Sequence, residues 1–304
     1  MNHDAILAFI SVVENGSLSL AAQKLYTTQS NISKKIQQLE TEMGVPLLYR
    51  NRGQRLIELT GYGKEFLEVA KKWNNLWMEF QAVREQPGRV FLSLGCIDLI
   101  NTITFVPLYR KLLADYSSLQ LTTHTLHSSE IGQQLSSYDI DLGFAMSKSN
   151  LPDIVSTPLY EERMFLLCSQ DSDYHDEMAL SKLDPSKEIY LRWGSQYEHW
   201  HDQQFPGRCY HLRVGTGHML GYFVDQGQAW AIVPASLAHR LCRNFPLAYY
   251  SVQDPVPTRI CYLQQNRLVR ESRQKGIDIF LDELSSYLEK SSTLHGLWKK
   301  KEDD

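Results

Sequence analysis

The chain has 304 residues, of which 43% are hydrophobic and 22% charged, a composition typical of a globular protein with a sizeable core. At roughly 100–200 residues per domain, this length predicts two or three domains. The sequence shows no stretch with the length and hydropathy of a membrane span or a signal peptide, so a cytoplasmic protein with no membrane partner is expected.

Basic residues are concentrated near the N-terminus, although the formal net charge of the whole chain is -4. Between Lys24 and Arg55 the chain carries six lysines and arginines against two glutamates. A local basic patch is what contact with phosphates requires, whereas the overall charge argues against a nucleic-acid binder. A solvated helix face has the same composition, so charge alone leaves both interpretations open.

The first sixty residues predict three short helices and a hairpin. Ile6, Phe9, Ile10 and Val13 form one apolar stripe, Gly16 ends the first helix, and Ser17 or Ser19 caps the second. Thr28 is placed to cap a third helix whose inward residues are Ile32, Ile36 and Leu39. The stretch Leu47–Leu59 carries Arg50, Arg52 and Arg55 and predicts a β-hairpin wing.

The outward side of the third helix is polar and rich in amides, hydroxyls and lysines. Amide side chains can read base edges, hydroxyls hold phosphates, and lysines add positive charge. A helix with such a first turn is suited to the major groove of DNA. Together with the hairpin, it predicts a DNA-binding set of Thr28, Gln29, Ser30, Asn31, Ser33, Lys34, Lys35, Arg50, Arg52 and Arg55.

This part of the chain resembles the LysR-type transcription regulators, without a gap from Phe9 to Gly63. The resemblance is carried by Phe9, Val12, Glu14, Gly16, Ser17, Leu18, Ala21, Ala22, Leu25, Gln29, Ser33, Ile36, Leu39, Glu40, Gly44, Leu47, Arg50, Leu59, Thr60 and Gly63. Ser30, Leu48 and Tyr62 replace the proline, phenylalanine and alanine of the family pattern. The resemblance implies a winged helix-turn-helix domain over residues 1–60 that binds double-stranded DNA.

Residues 61–88 predict a linker helix that ends at Pro87 and Gly88. Its apolar residues recur at alternating spacings of three and four, the heptad pattern of a helix that pairs with another helix. They are Phe66, Val69, Trp73, Leu76, Phe80 and Val83. A stripe packed on the chain's own core would look the same, but paired DNA half-sites favour a two-fold dimer. The resemblance implies the same linker and, beyond the dimer, a homotetramer.

From Val90 onward strands and helices alternate, which predicts α/β units around parallel sheets. Strands are predicted at 90–94, 119–126, 141–145, 164–168, 189–193, 229–233 and 259–263, and helices at 103–116, 131–136, 218–226 and 277–288. The resemblance implies a two-lobed effector domain over 89–304, similar to a periplasmic binding protein. Lobe I would comprise about 89–162 and 266–304, and lobe II about 163–265. The expected fold is thus multi-domain, an all-α winged helix-turn-helix domain and linker helix followed by a two-lobed α/β domain.

Ligands of open α/β sheets bind beyond the C-terminal ends of the strands and at helix N-termini. The segments that follow the predicted strands therefore predict a small-molecule effector site, with an anionic or carboxylate-bearing ligand favoured by exposed helix amides. Its expected residues are Cys96, Asp98, Asn101, Thr102, His127, Ser128, Trp193, Ser195, Thr216 and His218. Turn or cap chemistry is the structural alternative for each of them. The aromatic residues between Tyr190 and Phe205 could stack a ring-shaped ligand or simply pack lobe II.

The sequence as a whole predicts a non-enzymatic regulator that binds a palindromic operator as a homo-oligomer, with RNA polymerase as a candidate partner and no cofactor besides the effector. One alternative is a thiol-based redox sensor of the same fold, using Cys96 or Cys209. Another is a solute-binding protein without DNA function. A metal site built from His199, His201, His211 and His218 is disfavoured because no paired cysteine supports it.

Overall fold

The computed structural model describes residues 2–49, 57–85, 88–207 and 210–298, with only the backbone of residues 79 and 82–85. Contacts divide the chain into two compact units. One comprises Met1–Arg89 with Ser137–Asp139, and the other comprises Val90–Ser136 with Ile140–Asp304. Each unit has a hydrophobic core of its own.

The first unit is built on three helices, which are α1 (His3–Asn15), α2 (Leu18–Lys24) and α3 (Gln29–Met43). Ser17 and Thr28 cap α2 and α3, since each hydroxyl accepts the backbone N–H three residues on, at 3.1 Å and 3.2 Å. α1 and α3 end at Gly16 and Gly44, which adopt the left-handed conformation with φ of 66° and 71°. The predicted ends at Gly16, Ser17 and Thr28 are confirmed.

Helix α4 (Gly61–Glu85) is anchored to this core by its first turns. Phe66 and Ala70 are buried, and the ring of Phe66 lies 5.3 Å from that of Phe9 in α1. The sequence places Phe66 at the start of the dimerisation row, but the structure buries it within its own unit. The prediction for Phe66 was wrong because the spacing of apolar residues does not show whether the surface they contact belongs to the same chain or to a partner.

The connection between α3 and α4 folds back on itself. Leu48 and Leu59 form an antiparallel bridge, and the Tyr49 N–H donates to the Glu58 carbonyl at 2.9 Å. These contacts are the base of the predicted wing. The wing arginines Arg50, Arg52 and Arg55 lie outside the described residues.

The second unit alternates strands and helices in chain order. Its described strands are β1 (Val90–Cys96), β2 (Leu119–Thr125), β3 (Leu142–Ala145), β4 (Ile154–Glu162), β5 (Met164–Ser169), β6 (Ile189–Tyr190), β7 (Leu212–Arg213), β8 (Trp230–Pro234), β9 (Leu247–Tyr250), β10 (Arg259–Asn266) and β11 (His295–Gly296). Its described α-helices are α5 (Val106–Asp115), α6 (Ser128–Ser136), α7 (Ser195–Gln204), α8 (Gly217–Leu220), α9 (Ala235–Cys242) and α10 (Glu271–Lys290).

These strands form two lobes with separate sheets. Lobe I has a mixed sheet in the order β11-β4-β10-β3-β1-β2, and α5 and α10 pack on it. Lobe II has an antiparallel sheet in the order β8-β5-β9 and a parallel pair β6-β7. The expectation of parallel pairing holds for β1 with β2 and β3 and for β6 with β7, whereas the other pairings between the described strands are antiparallel. Isolated parallel bridges also join Glu188 to Trp230 and Met178 to Val252.

The antiparallel strands β4 and β10 carry the chain out of lobe I and back. Their pairing runs from Ile154 opposite Asn266 to Glu162 opposite Arg259. Because β10 belongs to the lobe I sheet, the return from lobe II lies before Arg259 and not at 266 as the sequence suggests. The crossing strands must run in opposite directions, which explains why this part of the sheet is antiparallel.

No single helix in the described part of the chain is long and apolar enough to cross a membrane. α1 and α2 reach that length and hydropathy only jointly, across a bend of 119°.

A methyl group has no room at Gly63 in the first turn of α4. A Cβ atom there would lie 2.0 Å from the carbonyl oxygen of Leu47. We expect Gly63→Ala to lower the free energy of unfolding by about 1–3 kcal/mol, the usual cost of overpacking. Gly61→Ala is the matched control, since its methyl group would meet open space in the same helix. Calorimetric unfolding of the two variants with equal midpoints would contradict this close approach.

Candidate functional site

Helix α3 separates an apolar inner face from a polar outer one. The inner face is buried and consists of Ile32, Ile36 and Leu39. The exposed residues near its start are Thr28, Gln29, Ser30, Asn31, Ser33 and Lys34. This face therefore offers amides, hydroxyls and a cation on a rigid support, which is the chemistry that reads base edges and holds phosphates.

Hydrogen bonds orient the two amides of this face. The Ser19 hydroxyl donates to Gln29 Oε1 at 3.0 Å, and Asn31 Nδ2 donates to the Thr27 hydroxyl at 2.8 Å. Side chains held in this way lose less conformational freedom when they meet a partner. The turn before α3 adds Tyr26, which is 99% exposed and has a φ of 51°. Tyr26 is not among the residues predicted to contact DNA, and nothing in its local sequence indicates its left-handed conformation, which is uncommon for a residue other than glycine.

The two lysines of the predicted DNA-binding set differ in their surroundings. Lys35 forms an ion pair with Asp4 of α1, with Nζ and Oδ2 3.0 Å apart, and its side chain is 28% exposed. Within the described residues Lys34 has no such carboxylate partner. Lys34 is therefore the better placed of the two for a phosphate contact, and Lys35 serves in part to hold α3 against α1.

Beyond its buried first turns, α4 carries a row of exposed apolar side chains. Val69, Trp73, Leu76 and Phe80 are 57%, 42%, 46% and 58% exposed, respectively. The side chain of Val83, the last predicted member, lies outside the described residues. An exposed apolar row of this length is a marker of a protein interface.

The chain leaves β1 through a π-helix at Ile100–Thr104, and α5 begins at Val106. The sequence predicts a single helix over 103–116. Pro107 occupies the first turn of α5, where no backbone N–H is needed, and so marks a new helix start. π-helical turns are rare and occur often at functional sites. Here the turn contains Asn101 and Thr102 of the predicted effector set.

These two residues are joined to neighbouring elements by hydrogen bonds. Asn101 Nδ2 donates to the Thr125 hydroxyl at 2.8 Å, and Asn101 Oδ1 accepts from the Tyr109 hydroxyl at 3.0 Å. The Thr102 hydroxyl lies 3.0 Å from His218 Nε2 in α8. Because the π-helix belongs to lobe I and α8 to lobe II, the contact between Thr102 and His218 spans the two lobes.

Cys96, at the end of β1, is buried and does not belong to this polar group. Its thiol Sγ lies 3.5 Å from the Tyr109 hydroxyl in the lobe I core. Burial raises the pKa of Cys96 to about 12, and burial also raises the pKa of Tyr109. Cys96 is thus a core residue, contrary to its assignment as an effector contact. The other redox candidate, Cys209, lies outside the described residues.

Asp98, His127 and Ser128 make contacts within lobe I. The Asp98 carbonyl accepts the Thr102 hydroxyl at 2.8 Å. The His127 backbone N–H donates to the Glu130 carboxylate at 2.8 Å, and the Ser128 hydroxyl accepts the Met146 N–H at 3.4 Å. Turn chemistry accounts for these three residues in the structure.

The remaining predicted effector residues lie in lobe II. The Trp193 indole donates to the Ile232 carbonyl at 2.7 Å, and the Arg259 guanidinium lies 4.7 Å from its ring centre. Ser195 is the first residue of α7, and Thr216 precedes α8 without a side-chain cap. Of this group only His218 has a described hydrogen bond to lobe I.

The aromatic segment packs lobe II instead of lining a surface. Tyr190, Tyr197, Trp200 and Phe205 are buried in one cluster. His201, also buried there, has its Nε2 2.8 Å from the carboxylate of Glu188, whose pKa is raised by burial. The described residues contain no group of three or more His, Cys, Asp or Glu side chains placed to hold a metal ion.

Two family profiles match the chain. The profile described as "Bacterial regulatory helix-turn-helix protein, lysR family" matches residues 3–64, and that of the "LysR substrate binding domain" matches residues 87–284. The chain belongs to the LysR family. It contains the N-terminal helix-turn-helix domain and the substrate-binding domain of this family.

The chain is also similar to individual proteins. It is 31% identical over 167 residues to a probable cat1 operon transcriptional activator of Acinetobacter lwoffii, spanning 54% of this chain and 54% of that protein. It is 28% identical over 261 residues to the HTH-type transcriptional regulator CzcR of Bacillus anthracis, spanning 80% of this chain and 86% of that protein. The first relative is therefore matched over about half of its length.

Two solved structures share the fold of this LysR-family chain. Full-length CbnR complexed with its target DNA superposes with a TM-score of 0.68 at 21% identity, covering 94% of this chain and 100% of CbnR. Full-length LysG of Corynebacterium glutamicum with the bound effector Arg gives a TM-score of 0.60 at 19% identity, covering 93% and 98%.

We expect the Cys96 thiol to be unreactive in the native protein. With a pKa of about 12, roughly one molecule in 10⁴ would carry the thiolate at pH 8, and burial excludes the reagent as well. Iodoacetamide labelling followed by peptide mass spectrometry should leave Cys96 unmodified in buffer and alkylate it in urea. Native labelling of Cys96 as fast as in urea would restore it as a redox candidate.

Proposed function

We propose that this LysR-family chain is a cytoplasmic regulator that binds a palindromic operator as a homo-oligomer. The observation that carries this proposal is the exposed polar face of α3, a helix that Thr28 caps and whose other face packs on the core. Ser19 and Thr27 orient the two amides of the exposed face. Two-fold pairing would present two such faces to successive major grooves. RNA polymerase is a further proposed partner, and no enzymatic activity or cofactor is proposed.

The proposed oligomer forms through the exposed row of α4, namely Val69, Trp73, Leu76 and Phe80. These side chains are about half exposed in a single chain and would be buried when two copies pair. Each Å² of apolar surface removed from water stabilises the dimer by roughly 25 cal/mol. The start of α4 packs on α1 through Phe66 and Phe9, and α1 shares its core with α3. Pairing along α4 would therefore also define the positions of the two α3 helices in the dimer. A dimer is proposed from this row, and a tetramer from the family resemblance.

The proposed effector site lies where the π-helix meets α8. Asn101, Thr102 and His218 supply an amide, a hydroxyl and an imidazole at a point where the two lobes touch. A ligand there would bind differently to different lobe angles, and such a difference in affinity is what couples a ligand to a conformational change. The bound effector of the similar LysG structure supports this proposal. The buried Cys96 weighs against a redox sensor that uses this thiol.

Operator recognition is tested on α3. Gln29→Ala should weaken binding to the operator by about 1–3 kcal/mol and reduce discrimination against altered operators, because a base contact is lost. Lys34→Gln should weaken binding to all sequences and reduce the slope of log affinity against log salt by about 1. Gln37→Ala, an exposed glutamine two turns further along α3, is the matched control.

Fluorescence anisotropy with labelled operator duplexes, titrated at several salt concentrations, measures both effects. If Gln29→Ala and Gln37→Ala bind and discriminate alike, the recognition surface is not the start of α3. Operator affinity that does not change with salt would contradict a phosphate-dominated interface.

Pairing through α4 is tested by adding charge to its exposed row. Leu76→Glu should raise the dissociation constant of the dimer by more than about 100-fold, since a carboxylate would be buried without a partner. Met78→Glu is the matched control, because Met78 is 60% exposed but lies on another side of the helix. Sedimentation equilibrium should show monomers for Leu76→Glu at concentrations where Met78→Glu stays assembled, and equal behaviour would place the interface elsewhere.

The effector site is tested by a thermal-shift screen of small carboxylates and amino acids on the full chain. For a compound that raises the melting midpoint of the wild type, Thr102→Val should remove most of the shift, because the hydroxyl near His218 is lost. Thr122→Val, the same change at an exposed position of β2, is the control. A full shift in Thr102→Val would move the site away from the π-helix.

A further inference from the structure

A cavity in the second unit adjoins the proposed effector site, with which it shares Thr102, but most of its polar lining is basic. It has a volume of about 290 Å³ and is enclosed by the π-helix, the start of α5, α9 and the end of α10. This volume is at the lower end of the range for small-molecule sites, roughly 300–1,000 Å³. The polar residues that matter to its chemistry are Thr102, Arg110, Ser236, His239, Arg240 and Arg243.

The cavity is lined from both lobes. Arg110 lies on α5 of lobe I, whereas the other basic residues lie on α9 of lobe II or at its end. Ser236, Arg240 and Arg243 follow each other at spacings of four and three, which places them on one face of that helix. An occupant in contact with Arg110 and Arg240 would therefore bridge the lobes.

The positive charge of this lining is not compensated. No aspartate or glutamate lines the cavity, and in the described part of the chain Arg110, Arg240 and Arg243 form no ion pair. Other arginines of the same unit do have carboxylate partners, as Arg192 has Glu198 at 2.9 Å and Arg270 has Asp141 at 2.8 Å.

Ser236 is a further polar residue of this lining. Its hydroxyl oxygen is a buried atom. Its backbone N–H donates to the carboxylate of Glu162 at 2.5 Å, and its side chain lies beside the same carboxylate and helps to lower the pKa of Glu162, which burial raises. A buried hydroxyl normally has a partner, since its desolvation is otherwise uncompensated.

The cationic end of α9 has a structural explanation as well. Cations in the last turn of a helix interact favourably with its dipole, and His239 and Arg240 are in that turn. That explanation does not extend to Arg110, which lies on another helix and approaches the same cavity from lobe I.

We propose that this cavity binds a small, multiply charged oxyanion that carries phosphate or carboxylate groups. Guanidinium groups bind such anions through paired, charge-assisted hydrogen bonds, and the lining provides those of Arg110, Arg240 and Arg243. The occupant favours the lobe arrangement in which Arg110 and the arginines of α9 reach it together. Binding at this site goes beyond the effector proposal and is tested on Arg110 and Arg240, which are not part of the proposed effector set, so that either can fail alone.

Calorimetric titration of the full chain in a low-salt buffer free of phosphate tests the proposal. Pyrophosphate is the probe in one arm and citrate in the other, which separates a phosphate ligand from a carboxylate ligand. We expect saturable binding in at least one arm and a loss of affinity of about tenfold or more in both Arg110→Gln and Arg240→Gln. Arg240→Lys keeps the positive charge but lacks the planar guanidinium that donates two hydrogen bonds to one anion, so this variant should bind with intermediate affinity.

Lys182→Gln is the matched control, because it removes one exposed positive charge from lobe II away from the cavity lining. Its affinity should equal that of the wild type. Absence of saturable heat in both arms, or an equal loss in Lys182→Gln, overturns the proposal in favour of nonspecific charge attraction. A loss in Arg240→Gln with none in Arg110→Gln overturns the bridging of the lobes. The melting midpoint of each variant without ligand shows that the loss does not come from unfolding.

Discussion

The pairing of β4 with β10 is the contact on which the architecture of the effector unit depends. The chain leaves lobe I after Glu162 and enters it again at Arg259, and these two residues stand opposite each other in the sheet. Both are buried, and burial raises the pKa of Glu162 while the nearby Arg259 guanidinium opposes that rise. The side chains influence each other electrostatically, while the backbone pairing of β4 with β10 is what joins the lobes here.

The proposed effector site at the π-helix and the basic cavity lined by α5 and α9 both lie near the strands β4 and β10. Glu162 holds the backbone of Ser236 at the start of α9, and Arg259 lies over the ring of Trp193 in lobe II. The π-helix connects β1 to α5 and meets lobe II at His218. An occupant of either region therefore contacts elements from both lobes close to the strands that join them. Leu99 and Ile103, at the start of the π-helix and within it, also pack in the hydrophobic cluster of lobe II, so the two lobes share apolar contacts as well.

In the first unit, which contains the helix-turn-helix domain, one aromatic contact joins the elements that carry the two exposed surfaces. Phe9 and Phe66 join α1 to α4, and Lys35 joins α3 to α1 through Asp4. The polar face of α3 and the exposed row of α4 consequently belong to one packed body. Binding surfaces on a common core keep their relative orientation without a ligand, which reduces the entropy lost on binding DNA.

Local features of this protein could be predicted from the sequence because they depend on residues close together in the chain. The caps at Ser17 and Thr28 and the glycine at the end of α1 follow from short-range backbone chemistry. The polar face of α3 follows from helical periodicity, and the family follows from a gapless pattern over its first sixty residues. Much of the proposed DNA-binding surface could be predicted from the sequence for the same reason.

Only the tertiary structure decided which residues meet across long stretches of chain. Periodicity could not show that Phe66 packs on Phe9, nor that Lys35 is paired with Asp4. The assignment of β10 to the first lobe depends on pairing with β4, about a hundred residues earlier. The cationic cavity joins Arg110 to α9 and has no signature in either segment, because the surroundings of a charge are a property of the folded chain. The sequence by itself thus determined the family and the local helix chemistry, and three-dimensional packing determined which polar and charged groups remain available to bind.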